Sequence, residues 1–411
     1  MNVREEIEGL AAFEGRGPGT DAERRAAGHL SDRLEELGRE AEVESIDVWP
    51  NWPLTYAIHV TLAVAGSVIS ITVPVVGALL VLIAVLLTFL DAIGMAITTR
   101  RLLGRRASQN VISREDGDKP GDLYLVAHYD AGRGGLVFNG TLQERRAALS
   151  ARLKRNIGPL QPVFWSMVVL LVCVLIRLPG IDNKILTIIQ FVFTVVLIVA
   201  LPMLLDTALA KTVPGANDNA SGVATAMALA ERFGGQLEHF DVHVLFTGSQ
   251  EALSLGMRSF LKKRKGEIDV ARSVFLNIDE VGRGTVRFTL KEGLLLPIES
   301  HEQLVTLCKE LVEDLEPDDD ERPEVRGMVA RTTSDGYAAR SAGLPAITIT
   351  CKGRLDYTPG HHQHSDQPDR IDDEALQRAY EFTSELIERL DQTVGPDLDS
   401  PEDKTLLKEE S

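Results

Sequence analysis

Two stretches of the chain are apolar well beyond what one face of a globular helix requires. From Leu54 to Leu90 there is no Asp, Glu, Lys or Arg, and Pro74 and Gly77 interrupt the run near its middle. A bilayer crossing takes about 20 residues, so this block predicts two crossings, Leu54–Val73 and Val75–Ile97, joined by a tight turn. Asp91 then falls near an interface. The second block predicts another hairpin, Val163–Ile176 and Ile185–Leu205, with the polar loop Arg177–Lys184 between its limbs. Its first limb is short, so Arg177 is expected to snorkel to the headgroups. All three tryptophans, Trp49, Trp52 and Trp165, lie where a hairpin enters the apolar layer, the position of an interfacial aromatic belt. The competing reading is a pair of helical hairpins buried in a large soluble core. Charge-free runs of this length argue against it.

The rest of the chain carries shorter periods. Thr20 and Glu23 form a capping box ahead of Ala26, Leu30, Leu34 and Leu37, with Gly38 as the stop. Strand-like runs follow at Asp122–Ala127, Asp241–Phe246, Ser273–Ile278, Val286–Leu290 and Pro345–Thr350. Helix-like runs lie at Ser221–Phe233, Leu255–Lys263, His301–Leu315 and Asp373–Leu390. Strands alternating with helices predict an α/β fold, a mostly parallel sheet covered on both faces, interrupted by the two hairpins. The domain is then assembled from residues 1–53, 98–162 and 206–392, with hairpins at 54–97 and 163–205. Residues 393–411 are acidic and rich in Pro and Ser, so a disordered tail is expected there.

Charge sets the orientation. Arg100, Arg101, Arg105 and Arg106 follow the first hairpin, and Arg145, Arg146, Arg152, Lys154 and Arg155 precede the second; the outer loops offer only Arg177 and Lys184. The positive-inside rule then places the polar portions, N-terminus included, on the cytoplasmic side of a cell membrane, with the lipid bilayer as a partner. The net charge of -17 excludes nucleic acid as a partner, since phosphate binding needs a clustered basic face. The first residues, Met1–Glu6, lack the apolar core of a cleaved signal peptide. Cys173, Cys308 and Cys351 are too few and too scattered for a disulfide framework or a thiolate metal site, which fits a reducing compartment.

Acids and histidines recur just beyond the strand-like runs. His128 and Asp130 end Leu123–Asp130. Asp218 lies in Gly215-Ala216-Asn217-Asp218-Asn219-Ala220-Ser221-Gly222, before a helix. Glu251 follows Val244–Gln250, Asp279 ends Val274–Asp279, and His362 sits in His361-His362-Gln363-His364-Ser365-Asp366. Loops beyond the C-terminal ends of parallel strands converge on one crevice, and imidazole with carboxylate suits zinc. Singly, each residue has a plainer role as a turn or helix cap. Their joint order is the signal.

That order resembles the M28 (aminopeptidase-type) metallopeptidases: His-x-Asp, Gly-Ala-x-Asp-Asn-x-Ser-Gly, an acidic position after a strand, Asn-x-Asp, and a late His with Asp366 four residues on. Ser334-Asp335-Gly336 followed by Ala342-Gly343-Leu344-Pro345-Ala346 also matches. The resemblance implies two zinc ions, with Asp218 bridging, His128 and Asp279 completing one site, and Glu251 and His362 the other. It places Asp130 behind His128, fixing its tautomer. It further implies a peptide or amino-acid-derivative substrate, cleaved at its N-terminal residue by a metal-bound hydroxide.

Two positions depart from the family. Where it has a general-base glutamate, this chain has Gln250, and an amide cannot take a proton from water near neutral pH. Where some members have an oxyanion-stabilising tyrosine, this chain has His361. Two outcomes follow: a working hydrolase in which His361, His364 or Asp335 moves the proton, or an impaired domain that binds metal or peptide as a membrane scaffold. His364 is expected to face solvent. A transporter ranks below both, because Asp91 and Gln190 offer no polar pathway through the apolar blocks.

Overall fold

The computed structural model describes residues 1–314 and 325–395; beyond residue 395 the expected acidic tail lies outside the described residues. The chain opens with helices α1 (Val3–Ala11) and α2 (Asp21–Glu36) and an edge strand, β1 (Glu42–Val48). The first apolar block folds as α3 (Trp52–Ile69) and α4 (Pro74–Ala92). Strands β2 (Arg106–Ser113) and β3 (Gly121–His128) precede α5 (Gly140–Arg152), and the second block forms α6 (Gln161–Arg177) and α7 (Lys184–Leu209). Then come α8 (Ser221–Phe233), β4 (Phe240–Thr247), α9 (Leu255–Lys263), β5 (Ser273–Ile278), β6 (Thr285–Glu292) and β7 (Ile298–Glu299). The described chain ends with α10 (Glu302–Asp314), β8 (Arg326–Ala330), α11 (Asp335–Ser341), β9 (Ala346–Lys352) and α12 (Asp373–Thr393).

The strands form one mixed nine-stranded sheet, ordered β1-β2-β4-β3-β5-β9-β6-β7, with β8 paired to β6. Its centre, β4-β3-β5-β9, is parallel as expected. The flanks are not: β1–β2, β2–β4, β6–β9 and β6–β7 pair antiparallel. In β3 the side chains alternate between two cores, as a pleated strand requires. Leu123, Leu125 and Ala127 pack with α1, α2, α8 and α12 on one face, and Tyr124 and Val126 pack with Met257 and Phe260 of α9 on the other. Because the four central strands run the same way, their C-terminal ends open on one edge.

The capping box is half realised. Thr20 Oγ1 accepts the Glu23 N–H at 3.2 Å, but the Glu23 carboxylate turns inward. It accepts the N–H of Gly19 at 2.7 Å and of Ser249 at 2.8 Å, so it joins α2 to the loop after β4.

The two apolar blocks form a four-helix bundle in which α3 packs on α4 and α7, and α6 on the same two. Its inner side is lined by small residues, Ala57, Val60, Ala63, Ala78, Val81 and Ala84. Gly66 and Gly77 permit the closest approach: a Cβ on Gly77 would collide with Ser70 and with the Gly66 carbonyl. The outer side is apolar and exposed, with Leu79, Leu82 and Leu86 on α4 and Ile188, Phe191 and Val199 on α7. Helices α3, α4 and α7 are long and apolar enough to cross a membrane; α6, with 17 residues, is shorter. The expected snorkelling of Arg177 is replaced by inward pairing. Its Nε donates to Gln190 Oε1 at 2.8 Å and its Nη1 to Asp182 at 2.6 Å, while Gln190 Nε2 reaches the Ser67 carbonyl at 2.7 Å. Neighbouring polar groups satisfy the guanidinium without a headgroup.

Beneath the open edge, Arg340 of α11 is a buried tie. It pairs with Glu292 and donates to Ser300 Oγ at 2.6 Å and Thr289 Oγ1 at 3.2 Å. Removing one partner strands a buried charge. Arg340→Met is expected to cost about 3–5 kcal/mol, and the double variant with Glu292→Leu to recover most of it. Thermal melting of the three proteins in detergent checks this; equal melting of single and double variants contradicts it.

Candidate functional site

At the C-terminal edge of the sheet, seven of the eight positions singled out from the sequence converge around one cavity, His128, Asp218, Gln250, Glu251, Asp279 and His362 among them. His361 joins them there, and Asp130 lies directly beneath. His128 ends β3. Its Nε2 lies 3.3 Å from Asp218 Oδ1 and 3.5 Å from Asp279 Oδ1. Asp218 sits on the turn before α8, and its Oδ2 lies 3.3 Å from His362 Nε2 and 3.0 Å from His361 Nδ1. Glu251 Oε1 is 3.0 Å from His362 Nε2. The donors fall into two groups sharing Asp218, one with His128 and Asp279 and one with His361 and His362, each with its donor atoms within 4.8 Å.

The position of Asp130 differs from the expected one. His128 Nδ1 meets the Asp130 main-chain carbonyl at 3.1 Å, and the carboxylate only at 3.5 Å. The carboxylate instead accepts the backbone N–H groups of Gln250 at 2.9 Å and Glu251 at 3.0 Å. It therefore clamps the loop that carries Glu251.

Gln250 reaches the cavity wall, where its Nε2 donates to the Thr333 carbonyl at 2.8 Å. Asp335 does not line the cavity. Its carboxylate accepts the Thr247 hydroxyl, and burial pushes it up to about 7. His364 is exposed, as expected.

Several residues hold the site in ways the motifs did not show. Glu280, beside Asp279, sits in the left-handed region at φ 56° and accepts from His361 Nδ1 at 2.7 Å and from Thr358 Oγ1 at 2.8 Å, with Lys352 also paired to it. Burial opposes its charge, but Lys352 and His361 hold it down at about 2. Arg16 is fully buried and ties two parts of the site together, donating to the Tyr129 carbonyl at 2.9 Å and the Gly215 carbonyl at 2.6 Å. The Asp366 carboxylate accepts the N–H groups of Asn217 and Asp218, at 2.9 Å and 3.1 Å. The adjacency of Asp279 and Glu280 was the one available cue. Arg16 and Asp366 act through backbone groups, which no side-chain pattern reveals.

The helical bundle also reaches the site. Trp52 Nε1 donates to the Glu251 carbonyl at 2.9 Å, and Arg100 Nη1 to the Ala252 carbonyl at 2.7 Å. Arg100 is itself paired with Asp91 at 2.7 Å, both nearly fully buried. The Ser249–Ser254 loop is thus held between the sheet edge and the first hairpin.

The cluster fits a divalent ion. Donors 3.3 and 3.5 Å apart match the spacing of about 3.3 Å expected between ligands of a tetrahedral ion bound at roughly 2.0–2.1 Å. Asp218 Oδ2 and His362 Nδ1 are buried without a hydrogen-bond partner. The field draws in positive charge. Burial disfavours protonation of His128, but Asp130, Asp218 and Asp279 raise it well above the ordinary imidazole value, and His361 is raised to about 9 by Glu280 and Asp218 against burial and His362. Imidazole and carboxylate without thiolate is a zinc-type donor set.

The comparisons agree with this geometry. The sequence model of peptidase family M28 matches residues 204–387. That stretch of the chain is similar to the M28 peptidases. Among solved structures, a Zn-dependent exopeptidase from Parabacteroides distasonis matches at 12% identity and TM-score 0.52, covering 95% of this chain and 97% of that one. A Bacteroides thetaiotaomicron glutaminyl cyclase bound to N-acetylhistamine matches at 15% and 0.54, covering 94% and 96%. A zinc aminopeptidase from Bacillus subtilis matches at 13% and 0.53, covering 94% and 93%. No curated protein sequence matches the chain. At these identities the likeness concerns the fold.

Removing the Asp130 clamp should loosen the loop it holds. Asp130→Ala deletes two charge-assisted hydrogen bonds, each contributing about 1.5–3 kcal/mol. Hydrogen exchange at the Gln250 and Glu251 amides should accelerate at least tenfold, with the interior of β4 unchanged. Unaltered exchange at those two amides would show that other contacts hold the loop.

Proposed function

We propose that this protein is a membrane-anchored, zinc-dependent hydrolase of the M28 type acting on amide bonds of peptides or amino-acid derivatives. The observation that carries it is the shared position of Asp218 between two groups of buried donors. In this reading Asp218, His128 and Asp279 would hold one zinc ion, and Asp218, Glu251 and His362 would hold a second, with His361 beside it. Zinc held there supplies a Lewis acid that polarises the scissile carbonyl and acidifies water. The apolar outer face of the bundle supports anchoring: a helix surface of Leu, Ile, Val and Phe facing outward, over small and polar residues facing inward, is stable in lipid rather than water.

The chain's own residues must move the proton. Gln250 cannot, and the Thr333 carbonyl facing it selects a donor there; an ionised glutamate would meet that carbonyl oxygen unfavourably. His364 is exposed and Asp335 lies off the cavity. His361 remains. Glu280 accepts from its Nδ1, and the value of about 9 keeps the ring charged near neutral pH, so Nε2 is placed to hand a proton to the leaving amine and then to take one back from water. Glu280 holds the charged imidazole in place, and Phe138, 5.8 Å from its ring centroid, shields one side.

A second reading, a metal- or peptide-binding scaffold without turnover, rests on Gln250 alone. The neighbouring folds include both aminopeptidases and glutaminyl cyclases, so removal of an N-terminal residue is the finer part of the proposal.

Two measurements separate these readings. Asp218→Ala should lose bound zinc by elemental analysis, because both groups share that carboxylate; unchanged stoichiometry would mean that other residues build the centre. With amino-acid amides, His361→Ala should lower kcat by about 10²–10⁴-fold, while Gln250→Glu should leave it unchanged or lower it. A rise of about 100-fold on Gln250→Glu would assign the base role to position 250. Absence of turnover in every variant favours the scaffold.

A further inference from the structure

Two cavities meet at the acid–histidine cluster. The first has the cluster in its wall, with threonines, Glu292 and Lys352 on the sheet side, and an apolar side made by Trp52 of α3, Leu160 and Val163 at the start of α6, and Met203 and Leu204 of α7. It therefore opens among helices whose outer faces are suited to lipid. The second lies beside it under α5 and is basic, with Arg146, Lys154, Arg155, Arg326 and Arg331 in its wall. Phe138, Pro159, Met328, Ala330, Lys352 and His361 line both, so the two are continuous at the site.

Cations outnumber acids in the second cavity, whose wall holds only two carboxylates, Asp356 and Glu280, among the described residues, the latter paired with Lys352. Of its five named cations only Arg326 is paired with a carboxylate, Asp356, among the described residues. Arg331 Nε is buried without a hydrogen-bond partner, and Arg155 repels Arg331. In a chain of net charge -17, a concave cluster of unpaired cations is arranged for an anion. An apolar slot on one side of a hydrolytic centre and a cationic slot on the other describe a substrate with a tail, an amide and an anionic head.

The geometry points to an N-acyl amino acid as the substrate class: a long acyl chain lies among α3, α6 and α7, the amide lies at the cluster, and the carboxylate lies against Arg146 and Arg331. This rests on the hydrolase reading above, and it replaces a free amino end with an acyl chain. Hydrolysis balances without a co-reactant. The water oxygen bonds to the acyl carbon, the C–N bond breaks, and the water's protons are shared between the released amine and the medium, leaving a fatty carboxylate and an amino acid. Both products suit the location, one returning to the bilayer and one to water.

The test uses the full chain in detergent micelles with N-dodecanoyl-alanine and N-acetyl-alanine. kcat/KM is expected to be at least 100-fold higher for the longer chain. Met203→Trp, which narrows the apolar slot, should abolish that preference. Arg146→Glu with Arg331→Glu should raise KM at least tenfold for the carboxylate and leave the methyl ester unaffected. Binding is read separately, by quenching of Trp52 with a chain-brominated N-acyl alanine in the Trp49→Phe/Trp165→Phe background. The double arginine variant should shift half-saturation at least tenfold, which simple partition into micelles would not do. Quenching of this kind without hydrolysis of any amide would remove the hydrolase reading and keep the amphiphile site. Equal turnover of both chain lengths, or quenching indifferent to the arginines, overturns the inference.

Discussion

Asp218, Glu251, Asp279 and Glu280 set four carboxylates around one cavity, and like charges withdrawn from water repel one another strongly. The surrounding architecture is a set of answers to that repulsion. Lys352 and His361 neutralise Glu280, and His128 and His362 stand between the other three. Arg16 contributes its charge at one remove, through the carbonyls it holds. Burial alone would drive these acids toward their neutral forms; with the partners in place, Asp218 stays well below the usual carboxylate range despite it. A cluster this acidic is stable when cations complete it, and that is why the same residues suit a divalent cation.

The parts of the fold legible in the sequence were those whose side chains repeat. The runs at Ser273–Ile278, Ser221–Phe233 and Leu255–Lys263 coincide with β5, α8 and α9, because each is apolar with clear limits. Strands β1 and β2 were missed for a physical reason. Glu42–Val48 carries three acids on an edge, and Arg106–Ser113 is mostly polar, with its side chains spent on hydrogen bonds such as that from Asn110 Nδ2 to the Gly256 carbonyl. Helix α1 was missed because its apolar face shows only Ile7, Leu10 and Ala11. At the site, the order of His128, Asp218, Glu251, Asp279 and His362 was legible because their side chains are what the cavity gathers. Asp130, Glu23 and Asp366 were legible as motif positions but not as clamps, because they act on main-chain amides that every residue possesses.

The bundle and the site are one mechanical unit. Trp52 and Arg100 donate to consecutive carbonyls, Glu251 and Ala252, from the two ends of the first hairpin, while Asp130 and Glu23 hold the amide side of the same loop. The loop spends its backbone on both partners, so neither can shift without the other. Leu294 and Leu295, from the turn between β6 and β7, insert into the same bundle and close the contact from the far side.

The placement of the two hairpins within the chain governs the order of assembly. Strand β1 finds its only partner, β2, after α3 and α4 have been made, and β3 has neither neighbour, β4 or β5, until α6 and α7 are complete. During synthesis the central strand therefore waits, apolar on both faces and unpaired on both edges, while the last two bundle helices emerge. Early β pairing within the first two strands offers it no shelter, because β2 joins β4 rather than β3. Pairing of the central strand thus depends on segments that follow the whole bundle in the chain.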